Sequence, residues 1–149
     1  GFALEKTNRE KILEDPEWEK NYAEYELEDA YIEPLNSGIG EKLSIEVYLA
    51  FWCGDSKENV PIFLKIIDQI NPDRIKVNYY SVDRKPFRDV KYFVEDLKVE
   101  RVPTFIFYRD GQEIGRIIEQ PQLSMIEDFL EIIFSQGFNK VSPDRKNTT

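Results

Sequence analysis

The stretch Leu43-Ser44-Ile45-Glu46-Val47-Tyr48-Leu49-Ala50-Phe51-Trp52-Cys53-Gly54-Asp55-Ser56 decides how this chain is read. Its first nine residues are rich in β-branched and aromatic side chains, which suit a pleated, half-buried surface, and they predict a central strand over 43–51. Residues 55–70 then predict a helix, with Val60, Phe63, Leu64, Ile67 and Ile70 along one face. Pro61 lies early in that helix, where it would introduce a kink. The junction places the only cysteine of the chain at a helix N-terminus. Unpaired N–H groups of a first helical turn attract negative charge, so they favour a thiolate at Cys53. Gly54 is expected to let the backbone turn tightly beside the sulfur.

Downstream, the pattern predicts a strand over 74–82, a helix over 87–97 with Val90, Phe93, Val94 and Leu97 inward, and a strand over 104–108. Arg101-Val102-Pro103-Thr104 leads into that third strand, a position where proline is tolerated. Asp110-Gly111 signals a hairpin turn into a strand over 113–118. A last helix over 122–135 follows, and the polar residues 136–149 read as a flexible tail. Arg84, Lys85, Arg88 and Lys91 form a basic cluster that reads as a solvated loop and helix start. The order β-α-β-α-β-β-α predicts an α/β fold with a central mixed four-stranded sheet and helices on both faces. Its two β-α-β links favour parallel strands, and its hairpin adds an antiparallel pair.

Upstream, residues 4–14 read as a short charged helix. Asp15-Pro16 is a helix start, with Asp as N-cap and Pro in the first turn, and the helix is expected to run to about Ile32. Trp18, Tyr22 and Tyr25 fall on one side of it, a stripe read as packing onto the domain rather than as a partner face. Glu33-Pro34 and Asn36-Ser37-Gly38 are read as its end and a loop. The organisation expected is an acidic helical N-terminal extension over 1–36, a domain over 40–135 and the tail. Residues 1–36 hold 4 Lys/Arg against 11 Asp/Glu, which supplies most of the net charge of -9.

The 149 residues, 41% hydrophobic, suit one domain with a real core. A chain this acidic is repelled by phosphate backbones, which argues against nucleic-acid binding. No apolar run approaches the ~18 residues of a membrane span. The start Gly1-Phe2, without Met, reads as trimming of an upstream segment or as a cloning remnant. With no His and one Cys, a His-based triad, a cysteine-ligated cluster, a Cys/His zinc site and an internal disulfide are all impossible within one chain. No cofactor and no metal are expected, and any sulfur chemistry must be intermolecular.

Taken together, Trp52-Cys53-Gly54 at the first strand–helix junction, Val102-Pro103-Thr104 before the third strand and Gly111 in the hairpin resemble thioredoxin over about residues 40–135. More narrowly, WCGDS with Val60-Pro61, followed by VPTFIFYRDGQEIGRIIE at 102–119, resembles a group of bacterial thioredoxin-like proteins with a Cys-Gly-Asp-Ser site. The resemblance implies a thioredoxin fold, a cis Val102–Pro103 bond packed against the Cys53 sulfur, and backbone at Val102 that pairs with a bound peptide. It also implies a soluble bacterial protein of the cytoplasm or the periplasm. Three departures stand out. Ser56 occupies the place of the resolving cysteine, and a hydroxyl can hydrogen-bond a thiolate but cannot attack a mixed disulfide. Asp55 stands where proline is usual; its carboxylate opposes charge on the sulfur while capping the helix, and Lys57 is placed to offset it. Val47 replaces the buried Asp that assists the resolving cysteine.

Cys53 and Ser56 are therefore the candidate catalytic residues. Trp52, Gly54, Asp55, Arg101, Val102, Pro103 and Thr104 are the candidate site-shaping and substrate-binding residues, with Arg101 reaching either a substrate carboxylate or solvent. The expected function is monothiol thiol–disulfide exchange through mixed disulfides at Cys53, of an isomerase, deglutathionylation or substrate-holding kind. Its partners would be protein thiols or disulfides and a low-molecular-weight thiol. The alternatives are a non-catalytic peptide-binding module and a thiol oxidation sensor. A monothiol glutaredoxin is disfavoured by Trp52 and by Glu113-Ile114-Gly115-Arg116, which stands where a Gly-Gly-Cys-Asp glutathione motif would be.

Overall fold

The computed structural model describes residues 4–82 and 95–135, and the first of these form a strand where a helix over 4–14 is expected. β1 (Leu4–Thr7) precedes α1 (Arg9–Ile12), and Asn8 separates them by accepting the Lys11 N–H on its side chain at 2.9 Å. The charged run 4–14 carries no signal for this split. The strand exists because β3 (Ile75–Val82) offers it an edge, pairing Leu4 with Val82 and Thr7 with Tyr79. The four-stranded expectation therefore becomes a five-stranded sheet.

α2 (Pro16–Glu24) starts as expected, with Asp15 accepting the Glu17 N–H at 2.9 Å, but it stops at Glu24 and not near Ile32. A single 3-10 turn (Asp29–Tyr31) leads into α3 (Ile32–Ile39), so Pro34 and Asn36-Ser37-Gly38 lie inside a helix, not in a loop. Pro34 sits in the first turn, where its missing N–H is no loss. Gly38 is small because α3 meets the last helix there: a Cβ would approach the Phe134 ring to 2.6 Å.

β2 (Leu43–Leu49) lies at the centre and runs parallel to β3. β4 (Thr104–Arg109) pairs with β2 antiparallel, and β5 (Gln112–Ile118) pairs with β4 antiparallel, giving the order β1-β3-β2-β4-β5. The second link thus joins antiparallel strands on either side of β2, not the parallel pair expected. β3 ends beside the end of β2, and β4 begins there too, Tyr48 facing Thr104, so the chain leaves and returns at one end of the sheet. That end carries Cys53. Asp110 and Gly111 join β4 to β5 with φ of +53° and +78°, the left-handed pair of a type I′ turn.

α4 (Gly54–Ile67) and α5 (Met125–Phe134) complete the described helices. Ile45, Val47, Leu49, Phe105 and Phe107 point to the main core, where they meet Ile12, Trp18, Leu35, Ile39, Phe63 and Phe129. Phe63 tilts on Phe105 at 4.9 Å, and Phe107 meets Phe129 edge-on at 5.0 Å. Residues on both sides of the expected boundary near 36–40 thus share one core. Among the described residues all five α-helices pack on this face. The other face holds a smaller cluster of Tyr48, Ala50, Val82, Val99, Val102 and Ile106, with Leu97 against it. Of the helix expected over 87–97, only Glu95–Leu97 is described, as a 3-10 turn. Residues 87–94, the basic cluster and the tail lie outside the described residues. No helix among the described residues is long and apolar enough to cross a membrane.

Candidate functional site

Cys53 is the N-cap of α4, with extended backbone (φ -96°, ψ 124°) that turns the chain from strand into helix. Its N–H donates to Ala50 O at 3.1 Å, closing the turn. The sulfur takes the place of a capping oxygen: Sγ accepts the Ser56 N–H at 3.4 Å. The thiol also donates to the Val102 carbonyl at 3.4 Å. Sulfur and cis-proline loop are thereby in contact, since the Val102–Pro103 bond is cis. Cys53 is half-buried, and Phe51 and Trp52 beside it are 38% and 37% exposed. Phe51 rests on the fully buried Trp18 of α2, ring centroids 5.2 Å apart.

Several expected roles change. Asp55 does not cap α4; Cys53 does. The Asp55 carboxylate instead accepts from Gln120 Nε2 at 2.7 Å, and the same nitrogen reaches Glu58 Oε1 at 3.3 Å. Lys57 does not offset Asp55. Its ammonium turns to Glu17 of α2 at 2.8 Å, and that hydrogen bond holds its pKa above the ordinary lysine value. The Ser56 hydroxyl is fully buried and accepts the Ala50 N–H at 3.2 Å, so Ser56 serves the sulfur through its backbone. Gly54 has no left-handed φ, and a Cβ there would meet open space, so the turn does not depend on glycine. Arg101 keeps a side chain that is 57% exposed, and its guanidinium lies 3.6 Å from the Glu119 carboxylate. Thr104 is buried and donates its hydroxyl to Arg101 O at 2.7 Å, fixing the loop ahead of Pro103.

Three residues not singled out in the sequence tie the two halves of the site together. Glu119 donates its N–H to Pro103 O at 2.7 Å. Asn59, buried, donates through Nδ2 to Asp55 O at 3.0 Å and to Glu119 O at 3.2 Å. Gln120 completes the bridge through Asp55. A polar residue on the inner side of an amphipathic helix was the available signal for Asn59. Nothing in the sequence signals that Glu119 adopts a left-handed φ of +63°.

The central helix carries one further repair. Pro61 has no N–H, which orphans the Lys57 carbonyl one turn back. Asn21 of α2 fills that gap, its Nδ2 donating to Lys57 O at 3.0 Å.

Chemically, the arrangement presents one thiol at a helix N-terminus, next to a backbone carbonyl and an exposed aromatic pair, with no second thiol in the chain. Comparison with known proteins agrees with this geometry. A thioredoxin from Malassezia sympodialis is 32% identical over 79 residues, 53% of this chain and 70% of that protein. The Mus musculus thioredoxin is 33% identical over 90 residues, 60% of this chain and 78% of that protein. A Pseudomonas aeruginosa protein of unknown function shares the fold at a TM-score of 0.67 and 16% identity, covering 89% of this chain and 94% of its own. The thioredoxin family model matches residues 4–129, and the chain belongs to that family.

Proposed function

We propose that the protein is a monothiol exchange factor acting through mixed disulfides at Cys53. Family membership supports a general thiol–disulfide role with protein thiols or disulfides as substrates. The observation that carries the finer reading is the half-exposed Cys53 sulfur, held by Ser56 N–H and Val102 O, in a chain with no other thiol. The thiolate attacks one sulfur of a substrate disulfide. The substrate S–S bond breaks, a Cys53–substrate disulfide forms, and the leaving thiolate takes up a proton. A second thiol, from the substrate or a low-molecular-weight donor, then attacks the substrate sulfur of that adduct and releases Cys53 as thiolate. Isomerisation and deglutathionylation need no internal second cysteine, and the chain supplies none.

The test is mass spectrometry of reduced protein mixed with bis(2-hydroxyethyl) disulfide. One adduct per chain is expected, absent in Cys53→Ser and discharged by added thiol. A folded chain that forms no adduct overturns the reading. The exposed Phe51 and Trp52 favour a second reading, peptide holding without chemistry. In that case Cys53→Ser would capture partners as well as the natural chain does.

A further inference from the structure

We propose that the surface around Cys53 docks a cationic polypeptide segment, so that the preferred substrate cysteine is one flanked by Lys or Arg. The inference rests on the thiol-exchange reading and names its substrate class. The apolar centre of the surface is Phe51 and Trp52, more than a third exposed and backed by Trp18. Its rim is acidic. Asp55 and Glu58 are drawn onto one neutral amide, that of Gln120. Glu119 stands at Pro103, and Glu17, with a side chain 71% exposed, faces the start of α4 from α2. The described rim cations are Lys57 and Arg101, and each is already engaged, by Glu17 and by Glu119.

Among the described residues, four carboxylates thus meet two cations. Asp55 and Glu58 have no cationic partner among the described residues. Two like charges held together by a neutral group raise the local negative potential, and an incoming cation relieves it. The exposed parts of Phe51 and Trp52 supply apolar contact area at the centre of this surface.

The test uses the reduced full chain and three peptides. Each carries one cysteine as a mixed disulfide with 2-mercaptoethanol, flanked by two Lys, two Ser or two Glu. In every case the Cys53 thiolate attacks the peptide sulfur and 2-mercaptoethanol leaves. At low salt the Lys peptide is expected to react roughly tenfold or more faster than the Glu peptide, with the gap closing as salt is added. Glu58→Gln/Glu119→Gln should shrink the gap, while Glu41→Gln/Asp73→Asn, at the opposite end of the sheet, should not. Equal rates for the three peptides overturn the proposal. An equal loss of preference in both double variants also overturns it, since the charge of the whole chain would then set the preference. If even the Ser peptide fails to react with the folded chain, the thiol-exchange reading itself fails and takes this proposal with it.

Discussion

Cys53 caps its own helix with sulfur, and the serine three residues on does the supporting work with its backbone. That division has a measurable consequence. The Ser56 hydroxyl accepts from Ala50 N–H inside the protein, so Ser56→Ala leaves a buried donor without its partner. The expected cost is about 1–3 kcal/mol in urea unfolding, while the rate of adduct formation at Cys53 stays close to that of the natural chain. A large fall in rate at unchanged stability would show instead that the hydroxyl acts on the sulfur. At this scale the site was legible wherever a motif is local: Trp52-Cys53-Gly54 and Val102-Pro103-Thr104 could be read directly. Side-chain choices between competing partners were not. Whether Lys57 turns to Asp55 or to Glu17 depends on where α2 packs, and whether Arg101 meets solvent or Glu119 depends on how β5 ends.

Individual elements are held together by groups whose job is visible only in three dimensions. Arg109, at the end of β4, donates Nη1 to Ile39 O at 2.6 Å and Nη2 to Ile133 O at 2.9 Å. It thereby satisfies carbonyls in the last turns of α3 and α5, where a positive charge also suits the helix dipoles. Arg109→Met should cost about 2–4 kcal/mol, because buried carbonyls lose charged donors; a midpoint unchanged in urea would refute this. On the smaller-cluster face of the sheet, Tyr48 and Tyr108 both donate to Glu46 Oε1, at 3.0 and 3.4 Å. Burial, then the nearby Glu46 carboxylate, pushes both phenols well above their ordinary value of 10.0, and burial does the same for Tyr79 on β3. The sign follows directly. Above pH 10 the unfolded chain releases phenolic protons that the folded chain retains, so stability is intact below about pH 10 and falls as pH rises beyond it. Each such tyrosine contributes a slope of at most about 1.4 kcal/mol per pH unit. A urea midpoint flat from pH 9 to 11 would contradict it. The same dependence on distant partners explains which elements the sequence concealed. Leu4–Thr7 is a strand only because β3 is there, more than seventy residues on. Asn36-Ser37-Gly38 looks like a loop until Gly38 is seen to admit Phe134 and Ile133.

At the scale of the whole molecule, residues 4–39 act as part of the body that carries the site. β1 closes one edge of the sheet, and Ile12, Trp18, Leu35 and Ile39 are fully buried in the main core. The likeness to the Pseudomonas aeruginosa fold covers 89% of the chain, more than residues 40–135 could supply. α2 reaches the site at three points: Trp18 under Phe51, Glu17 on Lys57, and Asn21 on the carbonyl that Pro61 leaves open. Further along, Arg9 of α1 and Tyr22 of α2 both bond Asp68 just past the end of α4. A chain shortened to begin at residue 40 would therefore expose the apolar side of α4 and an unpaired β3 edge. Deleting one fully buried aromatic side chain costs about 3–5 kcal/mol, against a total stability of about 5–15 kcal/mol for a typical domain. Trp18→Ala should thus lower the urea midpoint sharply, and the shortened chain should show no cooperative transition at all. If the shortened chain instead unfolds cooperatively and Cys53 forms adducts at the full-length rate, residues 4–39 are a separable attachment. If Trp18→Ala slows adduct formation while still folded, α2 is what keeps Phe51, Trp52 and Cys53 in register with Pro103.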